Sequence, residues 1–147
     1  MSVTPGDTAY GSGDAGPSAT STRGSVMIGK LHAVVLDCPD PAALAAFYAE
    51  VVGGTVDAED ETWVDLDRDG RRLSFQLALG HRPPAWPDPT RPQQFHLDIA
   101  VERAEMDAAE KRVLDLGATL LEGDLDGTRN WRVYADPAGH PFCLCAC

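Results

Sequence analysis

The strongest constraint on this chain is an internal repeat. His32 opens an apolar run, LHAVVLDC, which is followed by a helix-like stretch and Gly53-Gly54. His96 opens a second run, FHLDIAV, followed by another helix-like stretch and Gly117. The His-to-Gly separation is the same in both halves. Each half then closes on a Phe-X-Leu strand, Phe75-Gln76-Leu77 in the first and Phe142-Cys143-Leu144 in the second. Repetition of this kind is the mark of two copies of one supersecondary unit, here paired about a shared cleft.

Local patterns give each unit the order β-α-β-β-β. In the first, residues 30–37 read as a strand, broken by Asp37, Asp40 and Pro41. Asp40-Pro41 is an N-cap followed by proline at the first helical position. The helix covers 41–52, with Leu44, Phe47, Tyr48 and Val51 on one apolar face and Gly53-Gly54 at its end. Strands follow at 55–58, 62–67 and 72–79, the last two joined by an Asp69-Gly70 turn. In the second unit, a strand at 94–101 precedes a helix at 103–116 with Met106, Ala109, Val113 and Leu116 on one face. Strands at 118–122, 130–135 and 141–146 complete it, with Asp136-Pro-Ala-Gly139 as a turn. The connector between the units, 81–93, is proline-rich and is expected to be extended.

A chain of 147 residues fits one domain. Residues 1–26 are rich in Gly, Ser, Thr, Pro and Ala without helix or strand period, and read as a disordered tail. Met27, just before the first strand, is a candidate true start. Residues 27–147 then form a single domain, with modules at about 28–80 and 94–147. The net charge of −11 argues against nucleic acid, which needs a basic face to release counterions, and against an anionic membrane surface. No run is long and apolar enough to span a bilayer, and no basic region precedes an apolar stretch at the start. The expected location is the cytoplasm. The cysteines at 38, 143, 145 and 147 do not suggest a disulfide framework. Strand neighbours at i and i+2 lie about 6.5–7 Å apart, at the upper limit for a bridge.

Strand alternation then sorts the side chains. The more apolar sets, Phe75 with Leu77 and Phe142 with Leu144, belong under the helices. Gln76 and Cys143 fall on the opposite face. His32 is grouped there with Val34 and Leu36, and His96 with Asp98 and Ala100. His32, Gln76, His96 and Cys143 are thus expected to converge on the open face. Trp63 is expected to share that face with Asp65.

At these residues the chain resembles the vicinal oxygen chelate superfamily, which includes glyoxalase I, extradiol dioxygenases, and bleomycin- and fosfomycin-resistance proteins. The resemblance spans about 28–147 and rests on LHAVVLDCPDPAALAAFYAEVVGG, QFHLDIAV with the later LGA, and DPAGHPFCLC. It implies an α+β fold of two paired βαβββ modules forming a curved, barrel-like sheet around a cleft. It also implies a metal held by His32, Gln76, His96 and Cys143, since metal-dependent members take one ligand from the first and last strand of each unit. Two imidazoles and a thiolate suit Zn. The family usually has Glu where Cys143 stands, and glyoxalase I uses a metal-bound Glu to move its proton. Neither Gln76 nor Cys143 replaces that base, so glyoxalase I activity itself is not expected.

Two functions stay open at this point. One is a metal-dependent lyase, isomerase or ring-opening oxygenase acting on a small organic molecule, with Cys143 also a candidate nucleophile and Asp98 a candidate pocket acid. The other is a metal-free binding protein of the resistance or sequestration type. There Trp86, on a connector folded as a flap, and Trp63 would wall the ligand. A homodimer is expected in either case. Phe47 and Tyr48 read as core, and His81 and His140 as connector and turn residues.

Overall fold

The computed structural model describes residues 28–147. The readings of 1–26 as a disordered tail and of Met27 as the start lie outside the described residues. The folded unit is Leu31–Cys147. Its first module comprises β1 (Val34–Cys38), α1 (Pro41–Val52), β2 (Thr55–Asp60), β3 (Trp63–Arg68) and β4 (Arg71–Leu77). The second comprises β5 (Leu97–Val101), a 3-10 turn (Arg103–Glu105), α2 (Met106–Asp115), β6 (Thr119–Glu122), β7 (Trp131–Ala135) and β8 (Pro141–Ala146). The βαβββ order therefore occurs twice.

Each module builds one four-stranded mixed sheet, in the orders β1-β4-β3-β2 and β5-β8-β7-β6. The opening strand of each module runs parallel to its closing strand, with Leu36 opposite Phe75 and Leu97 opposite Phe142. The other pairs are antiparallel. The sheets remain two rather than closing into one hydrogen-bonded barrel.

Local chemistry explains the boundaries. The Asp40 carboxylate accepts from the Ala43 amide at 3.0 Å, satisfying one orphan donor of α1, and Pro41 stands where no donor is needed. Gly53, at φ 74°, ends the helix. Asp69 and Gly70 both have positive φ, as a two-residue hairpin turn requires. The second helix is less sharply started. No side chain caps it, and the stretch expected as one helix from 103 opens as a 3-10 turn. Its hold on the sheet is partly ionic: Arg132 on β7 reaches Asp107 at 2.7 Å and Glu110 at 3.2 Å. The Tyr134 hydroxyl donates to Glu110 at 2.6 Å.

One aromatic core joins the modules. Tyr48 of α1 stacks on Phe75 at 5.7 Å, and Phe47 meets Phe142 edge-on at 5.9 Å. Tyr134 stacks on Phe142 at 5.5 Å. Truncating Phe142 to Ala would remove the hub of this cluster, at a cost of about 3–5 kcal/mol.

Two expectations need correction. Leu36 and Cys38 are buried in the core, so in β1 it is Val35 and Asp37 that share the other face. The grouping of His32 with Val34 and Leu36 on the open face is therefore reversed for this strand, and His32 lies ahead of β1 altogether. Nor is the connector extended. It folds back on itself, with the Ala85 amide donating to Arg91 O at 2.9 Å and the Asp88 amide to Ala85 O at 2.6 Å. The Asp88 carboxylate closes the tip, accepting from the Thr90 amide and hydroxyl.

Candidate functional site

The register of β5 and β8 assembles the first cluster. Asp98 lies directly opposite Cys143, and His96, two residues earlier, points to the same face. One ligand atom from each of His96, Asp98 and Cys143 lies within 4.8 Å of the others. His96 Nε2 is 3.2 Å from Asp98 Oδ1. Cys143 is buried, whereas the other two are exposed. Burial first, and then the Asp98 charge, push the Cys143 thiol up to about 12. A thiol so placed is protonated at neutral pH, the reverse of what activates a nucleophile. Cys145 is raised by the same causes.

The remaining predicted residues lie elsewhere. His32 Nε2 is 3.1 Å from Arg72 Nη1, in a polar group on the first sheet's open face. That group centres on Asp65, which accepts from Trp63 Nε1 at 2.8 Å and the Ser74 hydroxyl at 2.5 Å and lies 3.6 Å from Arg72. Trp63 and Asp65 thus share a face as expected. Gln76 is exposed opposite Trp63. The structure brings Asp98 into the donor cluster with His96 and Cys143, and His32 is not part of it.

A cavity of about 720 Å³ opens between the connector and the start of β1 and β5. That lies within the range of small-molecule pockets. Val35, Phe95, Leu97, Pro83 and Pro84 supply apolar wall; His81, Arg82, Arg91 and His96 supply cationic or titratable groups. Trp86 is half-buried in the connector but does not line this space. His96 alone belongs both to the cavity wall and to the donor cluster.

The cavity floor carries a polar clasp that the residue pattern did not announce. Asp136, 3% exposed, accepts from the Tyr48 hydroxyl at 2.8 Å and from the amides of Ala138 and His140. Its Oδ2 is 2.9 Å from His140 Nδ1, and His140 Nε2 reaches the Asp37 carbonyl at 2.9 Å. Burial alone would lower the His140 pKa; the hydrogen bond and charge of Asp136 override it and hold the pKa above its ordinary value. Both ring nitrogens face oxygen acceptors, an arrangement that the protonated ring satisfies with its two N–H groups. The only hint in the sequence was the i, i+4 spacing of Asp136 and His140 inside an ordinary turn motif.

Comparison with known proteins follows this geometry. A family model described as a glyoxalase-like domain matches residues 33–145. The chain belongs to the glyoxalase-like domain family. It is a domain of the vicinal oxygen chelate type. No curated protein matches it significantly. Among solved structures it resembles a glyoxalase/bleomycin resistance protein/dioxygenase family enzyme from Burkholderia phytofirmans, with 21% identity and a TM-score of 0.62 over 79% of this chain and 97% of that one. It also resembles a glyoxalase-related enzyme from Fulvimarina pelagi, with 22% identity and a TM-score of 0.59 over 80% and 88%. A third is the fosfomycin resistance protein FosX from Listeria monocytogenes, solved with Mn(II) and a dihydroxypropylphosphonic acid. That pair shares 16% identity at a TM-score of 0.59, over 82% and 91%. At these identities the likeness speaks for the fold of the glyoxalase-like domain. Among the described residues, no helix is long and apolar enough to cross a membrane.

Proposed function

We propose that this glyoxalase-like domain is a metal-dependent enzyme acting on a small organic molecule held beneath the connector. The observation that carries this reading is the double position of His96, in the wall of the cavity and in the His96–Asp98–Cys143 cluster. Nitrogen, oxygen and sulfur donors within 4.8 Å of one another fit a divalent ion, and the mixture favours Zn. Three protein donors also leave coordination open for substrate, as in catalytic rather than structural sites. A bound ion would supply Lewis-acid polarisation of a substrate oxygen. The chain's own contribution is placement. Val35, Phe95 and Leu97 offer apolar wall to the molecule, and Pro83 and Pro84 of the folded connector add to it.

A second reading, a metal-free binding protein of the resistance or sequestration type, is favoured by one observation. The cavity wall contains neither Asp98 nor Cys143. Elemental analysis of tag-free protein purified without chelator separates the two. Near-stoichiometric Zn that is lost in His96→Ala supports the enzyme. Absence of metal, with no retention after incubation with Zn, Mn, Ni or Fe, sinks it in favour of binding alone. We further propose a homodimer, consistent with large apolar side chains left exposed at Leu79 and Leu125, outside the cavity. A mass of 15.7 kDa in light scattering would reject it.

A further inference from the structure

The charge lining the cavity is opposite in sign to that of the molecule. The chain carries a net charge of −11, yet the wall beneath the connector holds two arginines, Arg82 and Arg91, and one carboxylate residue, Asp37. Neither guanidinium has an ion-pair partner among the described residues; Arg91 only donates to the Pro83 carbonyl at 3.0 Å. Asp136 does not line the cavity, and its carboxylate is taken up by the Tyr48 hydroxyl, the His140 ring and the amides of Ala138 and His140. His81 and His96 add two imidazoles to the wall. Two guanidiniums against one carboxylate on a concave, partly apolar surface leave that surface locally positive within an acidic protein. Guanidinium groups are the side chains best shaped to grip carboxylate or phosphate. The same wall includes Val35, Phe95 and Leu97, which present apolar surface. Gln93 Oε1, in the same wall, is buried without a partner among the described residues, an acceptor that a donor on a ligand would satisfy.

We propose that the cavity takes a small organic anion, its charged head held by Arg82 and Arg91 and its apolar body lying against Val35, Phe95 and Leu97. This rests on the cavity being the substrate site, and it narrows the substrate class to organic acids. It does not rest on the metal.

The test is isothermal titration of chelator-treated full-length protein with phenylacetate, phenyl phosphate, the neutral phenylacetamide and inorganic phosphate. At least one of the two organic anions should bind about tenfold or more tighter than the amide, the ratio expected for one charge-assisted contact. Which of the two binds tighter distinguishes a carboxylate from a phosphate head. Arg82→Gln and Arg91→Gln should each weaken that anion by about tenfold, while the exposed control Arg71→Gln should leave it unchanged. Equal binding of acid and amide, equal loss in Arg71→Gln, or no binding of either organic anion overturns the proposal. Inorganic phosphate binding as tightly as the organic anions overturns it too, because the apolar wall would then contribute nothing. Cys143→Ala keeps the cavity wall intact while breaking the donor cluster. Loss of metal uptake there with retained anion binding separates the fate of this proposal from that of the metal.

Discussion

The Tyr48 hydroxyl donates to the Asp136 carboxylate at 2.8 Å, linking the helix of the first module to the last turn of the second. Both groups are buried, so neither can turn to water instead. Desolvation first, and then Asp136, drive the tyrosine pKa upward, so it remains a donor at any ordinary pH. Tyr48→Phe should keep the ring stacking and lose only this bond, costing about 1–3 kcal/mol in urea denaturation. Asp136→Ala should cost more, about 3–5 kcal/mol, because it also strands the His140 imidazolium. A Tyr48→Phe variant as stable as the parent would mean that the bond contributes nothing to joining the modules.

His140 should make stability depend on pH in a direction that can be worked out. Its folded pKa is raised above the ordinary 6.5. The contribution of the charged form is therefore fully present below about pH 6.5 and is lost as pH rises through the folded value. Asp136, Asp37, the Tyr48 hydroxyl and the His81 ring, 5.1 Å from that of His140, are the groups that face this clasp. The stability advantage of the parent over His140→Gln should shrink as pH rises from 6 to 8.5. An advantage constant across that range would show that the imidazolium is not what stabilises the clasp.

The donor cluster makes a sharper prediction about metal content than family position does. His96→Ala, Asp98→Asn and Cys143→Ala should each lower zinc affinity by about tenfold or more. His32→Ala should leave it unchanged, since His32 pairs with Arg72, and Gln76→Ala tests whether the first sheet adds a donor. Equilibrium competition with a chromophoric chelator measures all five. If His32→Ala loses metal as His96→Ala does, the ion sits where family position puts it and the local cluster is incidental.

These contrasts show what could be read ahead of the structure. The α1 helix was legible from end to end, because Asp40, Pro41 and Gly53 are local signals and local physics honours them. The β5–β8 face was legible too, since FHLDIAV alternates cleanly and places His96, Asp98 and Cys143 together. The facing of β1 was not. After His32, which lies ahead of the strand, the run AVVL is apolar at successive positions, so alternation within β1 has no polar residue to fix it until Asp37. The cavity was hidden for a different reason. Arg82, Arg91 and Gln93 come from a proline-rich loop without period, and its fold-back depends on the Asp88 turn and on contact with the distant Ala138–Gly139 segment.

That contact supports a last prediction. Gly139 adopts φ +92°, and a Cβ there would lie 2.4 Å from Pro83 Cβ. The approach lets the connector pack directly on the DPAG turn, where His81 Nε2 lies 3.0 Å from the Ala138 carbonyl. Gly139→Ala therefore meets both backbone strain and a steric block that a rigid proline ring cannot easily yield to. It should cost about 1–3 kcal/mol. Gly127→Ala is the matched control: its φ of +70° is also positive, but nothing stands within 4 Å of the added carbon. It should cost less, through strain alone. The difference should appear as faster proteolytic cleavage within 81–93 in Gly139→Ala, because the first response to the clash is release of the connector. Equal cleavage rates in the two variants would show that Pro83 does not anchor the connector over the cavity.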